Sequence, residues 1–149
     1  MNKKTIWMIS IVIVVLAIIL IGRGSAKKDE LNTIKIGAVL PMTGIAANYG
    51  ENHSNAIKLA INEINAGGGV LGKKLELVLE NDGTDPKRTV AAFQKLTDID
   101  KVSVVIGGVW DFLANAVMPV IDAKKITTIS PSTASDMLDK TSDAFFTVF

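Results

Sequence analysis

Short apolar runs alternate along the chain with amphipathic stretches and with loops rich in glycine, proline and small polar residues. The first run, residues 34–40, is apolar except for Lys35 and leads directly into the loop 41–49. A short apolar run bounded by turn residues is typical of a buried strand in a parallel sheet. Similar runs predict four further strands, at residues 75–80, 102–106, 126–129 and 144–149.

The first three segments between these strands have the pattern of helices. In residues 50–66, apolar side chains recur at i, i+3, i+4 and i+7 from Ile57, which predicts a helix with one apolar stripe. Asp85 and Pro86 predict the start of a second helix, as its N-cap and first residue. A third helix is expected after the loop 107–111. Strands and helices in this alternation, joined by right-handed crossovers, predict a flavodoxin-like doubly wound α/β sheet of order 2-1-3-4-5.

Residues 1–26 are predicted to lie outside this domain. Lys3 and Lys4 precede sixteen residues that are apolar except for one serine, and small residues follow at 24–26. This is the layout of a signal peptide, and an uncleaved N-terminal membrane anchor is the alternative. Both interpretations place the rest of the protein outside the cytoplasm, after a polar linker at residues 27–33.

The charge and the rare residue types exclude several functions. The chain has 16 Lys and Arg against 15 Asp and Glu, so no basic field indicates nucleic-acid binding. There is no cysteine, and one histidine cannot supply a histidine metal site or a catalytic relay. His53 is expected on a solvated helix face. Because no catalytic or cofactor-binding constellation is visible, the chain is not expected to be an enzyme, and no cofactor or metal is expected.

Several short stretches carry a resemblance to a known family. They are Ile34-Lys35-Ile36-Gly37 with Pro41-x-Thr43-Gly44 and Tyr49-Gly50, residues 60–68, Gly72-Lys73-Lys74-Leu75, Asn81-Asp82 with Asp85-Pro86, Val105-Ile106-Gly107-Gly108, and Ile129-Ser130-Pro131-Ser132. In order and spacing, over about 115 residues, they resemble the first lobe of the type I periplasmic binding proteins. Within that family they are most similar to the branched-chain amino acid (Leu/Ile/Val) branch.

The resemblance implies a two-lobed binding protein that closes on a small polar solute, such as an amino acid or an amide, and delivers it to an ABC permease. Residues 34–149 are then expected to form part of the first lobe, truncated inside the fifth strand. The alternative is a ligand-sensing ectodomain of the same fold on a membrane-anchored receptor.

The resemblance also assigns candidate ligand contacts. A tyrosine of the first loop corresponds to Tyr49, while Ser132 and Thr133 follow the fourth strand and offer backbone and side-chain groups. Amino-acid binders carry a serine where this chain has Asp111, and a threonine where it has Ala134. Two of the side chains that would meet an α-amino acid are therefore altered.

Asp111 and its neighbour Trp110 change the expected solute. A carboxylate at 111 would repel a ligand carboxylate and attract an ammonium or amide group, and Trp110 could stack on a flat or cationic group. Structural roles remain open for all five candidates. Asp111 could cap the third helix, Trp110 could pack between lobes, and Tyr49 could cover the sheet end. Ser132 and Thr133 could serve ordinary turn chemistry.

Overall fold

The computed structural model describes residues 33–133 and 142–148, which contain five strands and three helices. The strands are β1 (Thr33–Leu40), β2 (Lys74–Asn81), β3 (Val104–Gly107), β4 (Thr128–Ser130) and β5 (Phe145–Thr147). The helices are α1 (Ala47–Ala66), α2 (Pro86–Lys95) and α3 (Asp111–Lys124), and a π-helical turn (Leu96–Asp100) follows α2.

The five strands form one sheet of order β2-β1-β3-β4-β5, which confirms the predicted order. β1 pairs in parallel with β3, β3 with β4, and β4 with β5. The register places Ile36 opposite Val104 and Thr128 opposite Phe145. Because the carboxyl ends of parallel strands meet at one edge, the loops after β1, β3 and β4 are neighbours in space.

Side chains of β1 alternate between the two faces of the sheet, so that each face has its own apolar cluster. Val39 joins the larger cluster, and Ala38 and Leu40 join the smaller one. The larger cluster fills the space between the sheet, α2 and α3, and its members include Phe93, Leu96, Val105, Val117 and Ile121.

The smaller cluster lies on the face that α1 covers, where coverage is incomplete. Ile57 and Ile61 of α1, with Ile106 and Ile129 of the sheet, line an apolar groove of about 410 Å³. The predicted apolar stripe of α1 therefore does face the sheet. However, Ile64 remains 40% exposed at the end of the groove.

The start of α2 agrees with its sequence signals. The Asp85 carboxylate accepts from the backbone N–H of Arg88 at 2.9 Å, and Pro86 is the first helical residue. The helix changes to a π-helical turn at Leu96. Lys101 then adopts a left-handed conformation, with φ of 56°, and ends the turn.

Some predictions fall on residues that lie outside the described part of the chain. These are the signal peptide or anchor at residues 1–26, nearly all of the linker, and Ala134. Among residues 33–133 and 142–148, no helix is both long and apolar enough to cross a membrane.

Candidate ligand-binding site

Three loops at the carboxyl edge of the sheet carry the candidate residues. Tyr49 lies in the first turn of α1, Trp110 and Asp111 lie where α3 begins, and Ser132 and Thr133 follow β4. The structure brings the first two loops into ring contact, because Tyr49 and Trp110 meet edge to face with centroids 5.8 Å apart. This geometry is favourable for two aromatic rings.

A close backbone approach positions Tyr49. A Cβ added at Gly50 would lie 2.3 Å from the carbonyl oxygen of Pro41, so only glycine allows α1 to start this close to the end of β1. The loop between them is also braced by β2, because Asn81 donates from Nδ2 to Thr43 Oγ1 at 3.0 Å. Tyr49 is thus presented from a fixed turn with half of its surface exposed.

Trp110 adopts an unusual backbone conformation. Its φ of 73° and ψ of 147° lie in a region that L-residues rarely adopt, and its carbonyl accepts from the backbone N–H groups of Leu113 and Ala114. Trp110 is therefore the N-cap residue of α3, through its backbone alone. The possible role of Asp111 as N-cap is wrong. Asp111 is instead the first residue inside the helix, where the positive end of the helix dipole favours a carboxylate.

Four rings form a row along this edge of the sheet. His53 and Tyr49 have centroids 6.5 Å apart, and Trp110 and Phe112 have centroids 6.1 Å apart, on either side of the Tyr49–Trp110 contact. Tyr49 and Phe112 are both about half exposed. We call His53, Tyr49, Trp110 and Phe112 the aromatic row.

The loop after β4 is tied to the loop after β3. The hydroxyls of Ser130 and Thr133 lie 2.9 Å and 2.7 Å from the carbonyl oxygen of Gly108, and they also contact each other. All three groups are buried. Because this triangle uses both hydroxyl protons within the protein, the side chain of Thr133 is occupied, and its backbone is the part that remains for a solute.

Ser132 has a different partner, which the sequence did not indicate. Its Oγ lies 3.2 Å from Nε2 of His53 on α1. The expectation that His53 occupies a solvated helix face is therefore wrong, and burial lowers the pKa of its imidazole from the usual 6.5. The available signal was that His53 follows Tyr49 by four residues, which puts both on one face of a helix.

These features define a class of protein. Exposed rings and hydroxyl groups converge at the carboxyl edge of a doubly wound sheet, where such folds bind ligands. Within the described residues, no three histidine, cysteine, aspartate or glutamate side chains are grouped as for a metal ion. The fold is that of the α/β domains that, as a class, bind small molecules at this edge of the sheet.

Comparison with known proteins gives the family. The profile described as "Periplasmic binding protein" matches residues 33–149, and the chain belongs to this family. The chain is 35% identical over 107 residues to the Leu/Ile/Val-binding protein BraC3 of Rhizobium johnstonii, a match that covers 72% of the chain and 29% of that protein. The chain thus spans less than a third of the length of the relatives it matches.

Solved structures agree with the family. The isoleucine complex of the branched-chain amino acid transporter substrate-binding protein LivJ from Streptococcus pneumoniae superposes with a TM-score of 0.74 at 32% identity, covering 77% of this chain and 33% of that one. A solute-binding protein of an ABC transporter from Rhodopseudomonas palustris, in complex with 3,4-dihydroxybenzoic acid, gives a TM-score of 0.71 at 33% identity, with 78% and 32% covered. The resemblance seen in the sequence is confirmed.

Proposed function

We propose that the protein is the solute-binding component of an ABC importer for amino acids or related small polar solutes. The observation that supports this most strongly is the contact between Tyr49 and Trp110 at the carboxyl edge of a periplasmic-binding-protein lobe, to which Ser132 is linked through His53. The solute binds on this edge, and closure of a second lobe about a hinge adds contacts and excludes water. This lobe alone binds weakly, because it supplies only part of those contacts.

The candidate residues then have distinct roles. Tyr49 and Trp110 give the solute an apolar surface, and their rings also favour a cationic group. The carboxylate of Asp111 attracts an ammonium or amide donor. Ser132 contributes its hydroxyl, and Thr133 contributes its backbone, since its hydroxyl is occupied by Gly108.

The relatives support the solute class. BraC3 is named for leucine, isoleucine and valine, and the two solved neighbours hold isoleucine and 3,4-dihydroxybenzoic acid. These molecules share a carboxylate and an apolar body, although only the amino acids carry an ammonium group. Asp111 favours a solute with an ammonium or amide group as well.

The location and the partner follow from the same proposal. Residues 1–26 serve as a signal peptide or as an N-terminal anchor, so that the binding lobe works outside the cytoplasm. The partner is the ABC permease in the membrane, and nucleic acid is not a partner.

A thermal-shift screen tests this function. The longest form of the protein that its gene encodes is screened against amino acids, amides, polyamines, sugars and aromatic acids. A ligand at one hundred times its dissociation constant adds about 2.7 kcal/mol to the free energy of unfolding, which raises Tm by several degrees. Shifts with amino acids or amides support the proposal. Shifts with sugars alone, or with no solute on a folded protein, contradict it.

Two matched variants locate the site. Tyr49→Ala and Leu59→Ala each remove a large side chain from α1, and both side chains are more than half exposed. Tyr49→Ala should weaken the binding of the solute found in the screen by about tenfold, because a stacked ring contributes about 1 kcal/mol or more. Leu59→Ala, away from the aromatic row, should leave the dissociation constant unchanged. Equal effects of the two variants would place the solute elsewhere.

A further inference from the structure

A hydrogen bond between side chains joins α1 to the loop after β4 at the candidate site. The imidazole Nε2 of His53 lies 3.2 Å from Oγ of Ser132, and 79 residues separate the two along the chain. The other ring nitrogen, Nδ1, is buried and has no hydrogen-bond partner among the described residues. The two nitrogens of this ring therefore have unequal surroundings.

These surroundings select one tautomer of the neutral ring. If Nδ1 carried the proton, a buried N–H group would have no acceptor, and such groups are rare in folded proteins. If Nε2 carries the proton, it donates to Ser132 Oγ, and Nδ1 holds only a lone pair, which is the less costly group to leave unpaired. Burial disfavours the doubly protonated ring and lowers its pKa, so the neutral ring dominates at neutral pH.

The group that donates this hydrogen bond determines whether the Ser132 hydroxyl can donate to a further partner. A hydroxyl that accepts from His53 keeps its own proton for another partner. Ser130 and Thr133 differ, because their hydroxyl protons are used in the triangle with the carbonyl oxygen of Gly108. Among the three hydroxyls of residues 130–133, that of Ser132 is the one left to donate at the sheet edge.

We propose that His53 is a positioning residue that holds the Ser132 hydroxyl as a hydrogen-bond donor for a carboxylate oxygen of the solute. A carboxylate is the strong acceptor that such a donor fits, and it is the group common to isoleucine and 3,4-dihydroxybenzoic acid in the two solved neighbours. The carboxylate of Asp111, which starts α3 on a different loop, repels that end of the solute and favours its placement at Ser132. The inference rests on the proposed function, since it assigns the carboxylate-binding part of the same site.

The tautomer is measured directly and without a solute. The chain has one histidine, so nitrogen NMR of ¹⁵N-histidine-labelled protein at about pH 8 reports this ring, and its signals are identified by their loss in His53→Gln. The expected result is a proton on Nε2 and a bare Nδ1, with the Nε2 signal displaced in Ser132→Ala. A proton on Nδ1, or an Nε2 signal that Ser132→Ala does not move, would overturn the inference.

Binding measurements test the consequence with matched probes. Each acid is paired with its decarboxylated analogue: L-isoleucine with 2-methylbutylamine, and 3,4-dihydroxybenzoic acid with catechol. His53→Ala should weaken binding of the acids by about tenfold, as expected for a lost hydrogen bond to a charged group, and should not change binding of the analogues. His53→Gln, whose amide nitrogen can take the place of Nε2, should restore acid binding, whereas His53→Asn, whose amide corresponds to Nδ1, should not.

The two proposals fail in distinguishable ways. If the wild-type protein binds none of the acids, the proposed function fails for this solute class, and the tautomer measurement still decides the role of His53. If the wild-type protein binds an acid and all three His53 variants bind it equally well, the positioning role is overturned while the proposed function stands.

Discussion

The hydroxyl oxygen of Thr133 lies 2.7 Å from the carbonyl oxygen of Gly108, and this contact fastens the loop after β4 to the loop after β3. Both residues are buried. The contact joins two of the three loops that carry the candidate site. The position of Ser132, one residue away, therefore depends on a hydroxyl that is itself hidden from any solute.

Removing this hydroxyl should destabilise the protein. Thr133→Val keeps the shape of the side chain but leaves a buried carbonyl with one partner fewer, so we expect a loss of about 1–3 kcal/mol in the free energy of unfolding, measured by urea denaturation. Thr127→Val is the matched control at an exposed position next to β4, and it should change the stability by less than about 0.5 kcal/mol. A loss of the same size in both variants would contradict the role of the contact.

The close approach at Gly50 gives a second prediction. The Cβ of Gly50→Ala would overlap the backbone oxygen of Pro41, which cannot rotate away, so α1 must shift at a cost of about 1–3 kcal/mol. Because the shift moves Tyr49, solute binding should weaken as well. Gly67→Ala at the other end of α1 is the control. Its Cβ finds no heavy atom closer than 3.5 Å, and its stability should stay within about 1 kcal/mol of wild type. An unaltered melting curve for Gly50→Ala would show that the helix start is not so tightly packed.

His53 should make the stability depend on pH. Burial lowers the pKa of the imidazole in the folded protein below the usual 6.5, so the unfolded chain binds the proton first as the pH falls. Stability attributable to His53 is therefore present above about pH 6.5 and declines as the pH falls toward the folded-state pKa. As the pH falls from about 7.5 to about 5, the free energy of unfolding of wild type should decrease relative to that of His53→Gln. A constant difference would contradict the burial of the ring.

Asp82 should have the opposite effect at lower pH. The residue is buried at the end of β2, where its Oδ1 accepts from the N–H of Thr84 at 2.9 Å while Oδ2 has no partner among the described residues. Burial raises the pKa of this carboxyl above the usual 3.8, so the folded protein takes up the proton before the unfolded chain does.

The stability contributed by protonated Asp82 is thus complete below about pH 3.8 and is lost as the pH rises through the folded-state pKa. Comparison with Asp82→Asn, whose side chain does not titrate, isolates the contribution of the Asp82 carboxyl to the free energy of unfolding. As the pH falls from about 7 to about 4, the stability of wild type relative to Asp82→Asn should increase. A relative decrease would indicate that the carboxylate is favoured in its charged form.

The sequence was sufficient for the fold because local patterns and general topology rules agree in this chain. Five apolar runs, of which the first four are separated by helical patterns, together with right-handed crossovers, lead to the order 2-1-3-4-5. The cap at Asp85 was predictable for the same reason, since its partner, the N–H of Arg88, is only three residues away. The loops of the site were also predictable, because parallel strands bring their carboxyl ends to one edge.

The roles within those loops were decided by tertiary structure. Asp111 had the residue type of an N-cap, but the positive φ of Trp110 begins the helix one residue earlier, and no local pattern predicts that conformation. The hydroxyls of Ser132 and Thr133 look alike in the sequence, yet one meets His53 and the other meets Gly108. The residues in these two contacts are separated by 79 and by 25 positions in the sequence, so the contacts form only after the sheet has brought its loops together. The sequence determined where the candidate site lies, and the packing of the loops determined which polar groups remain available there.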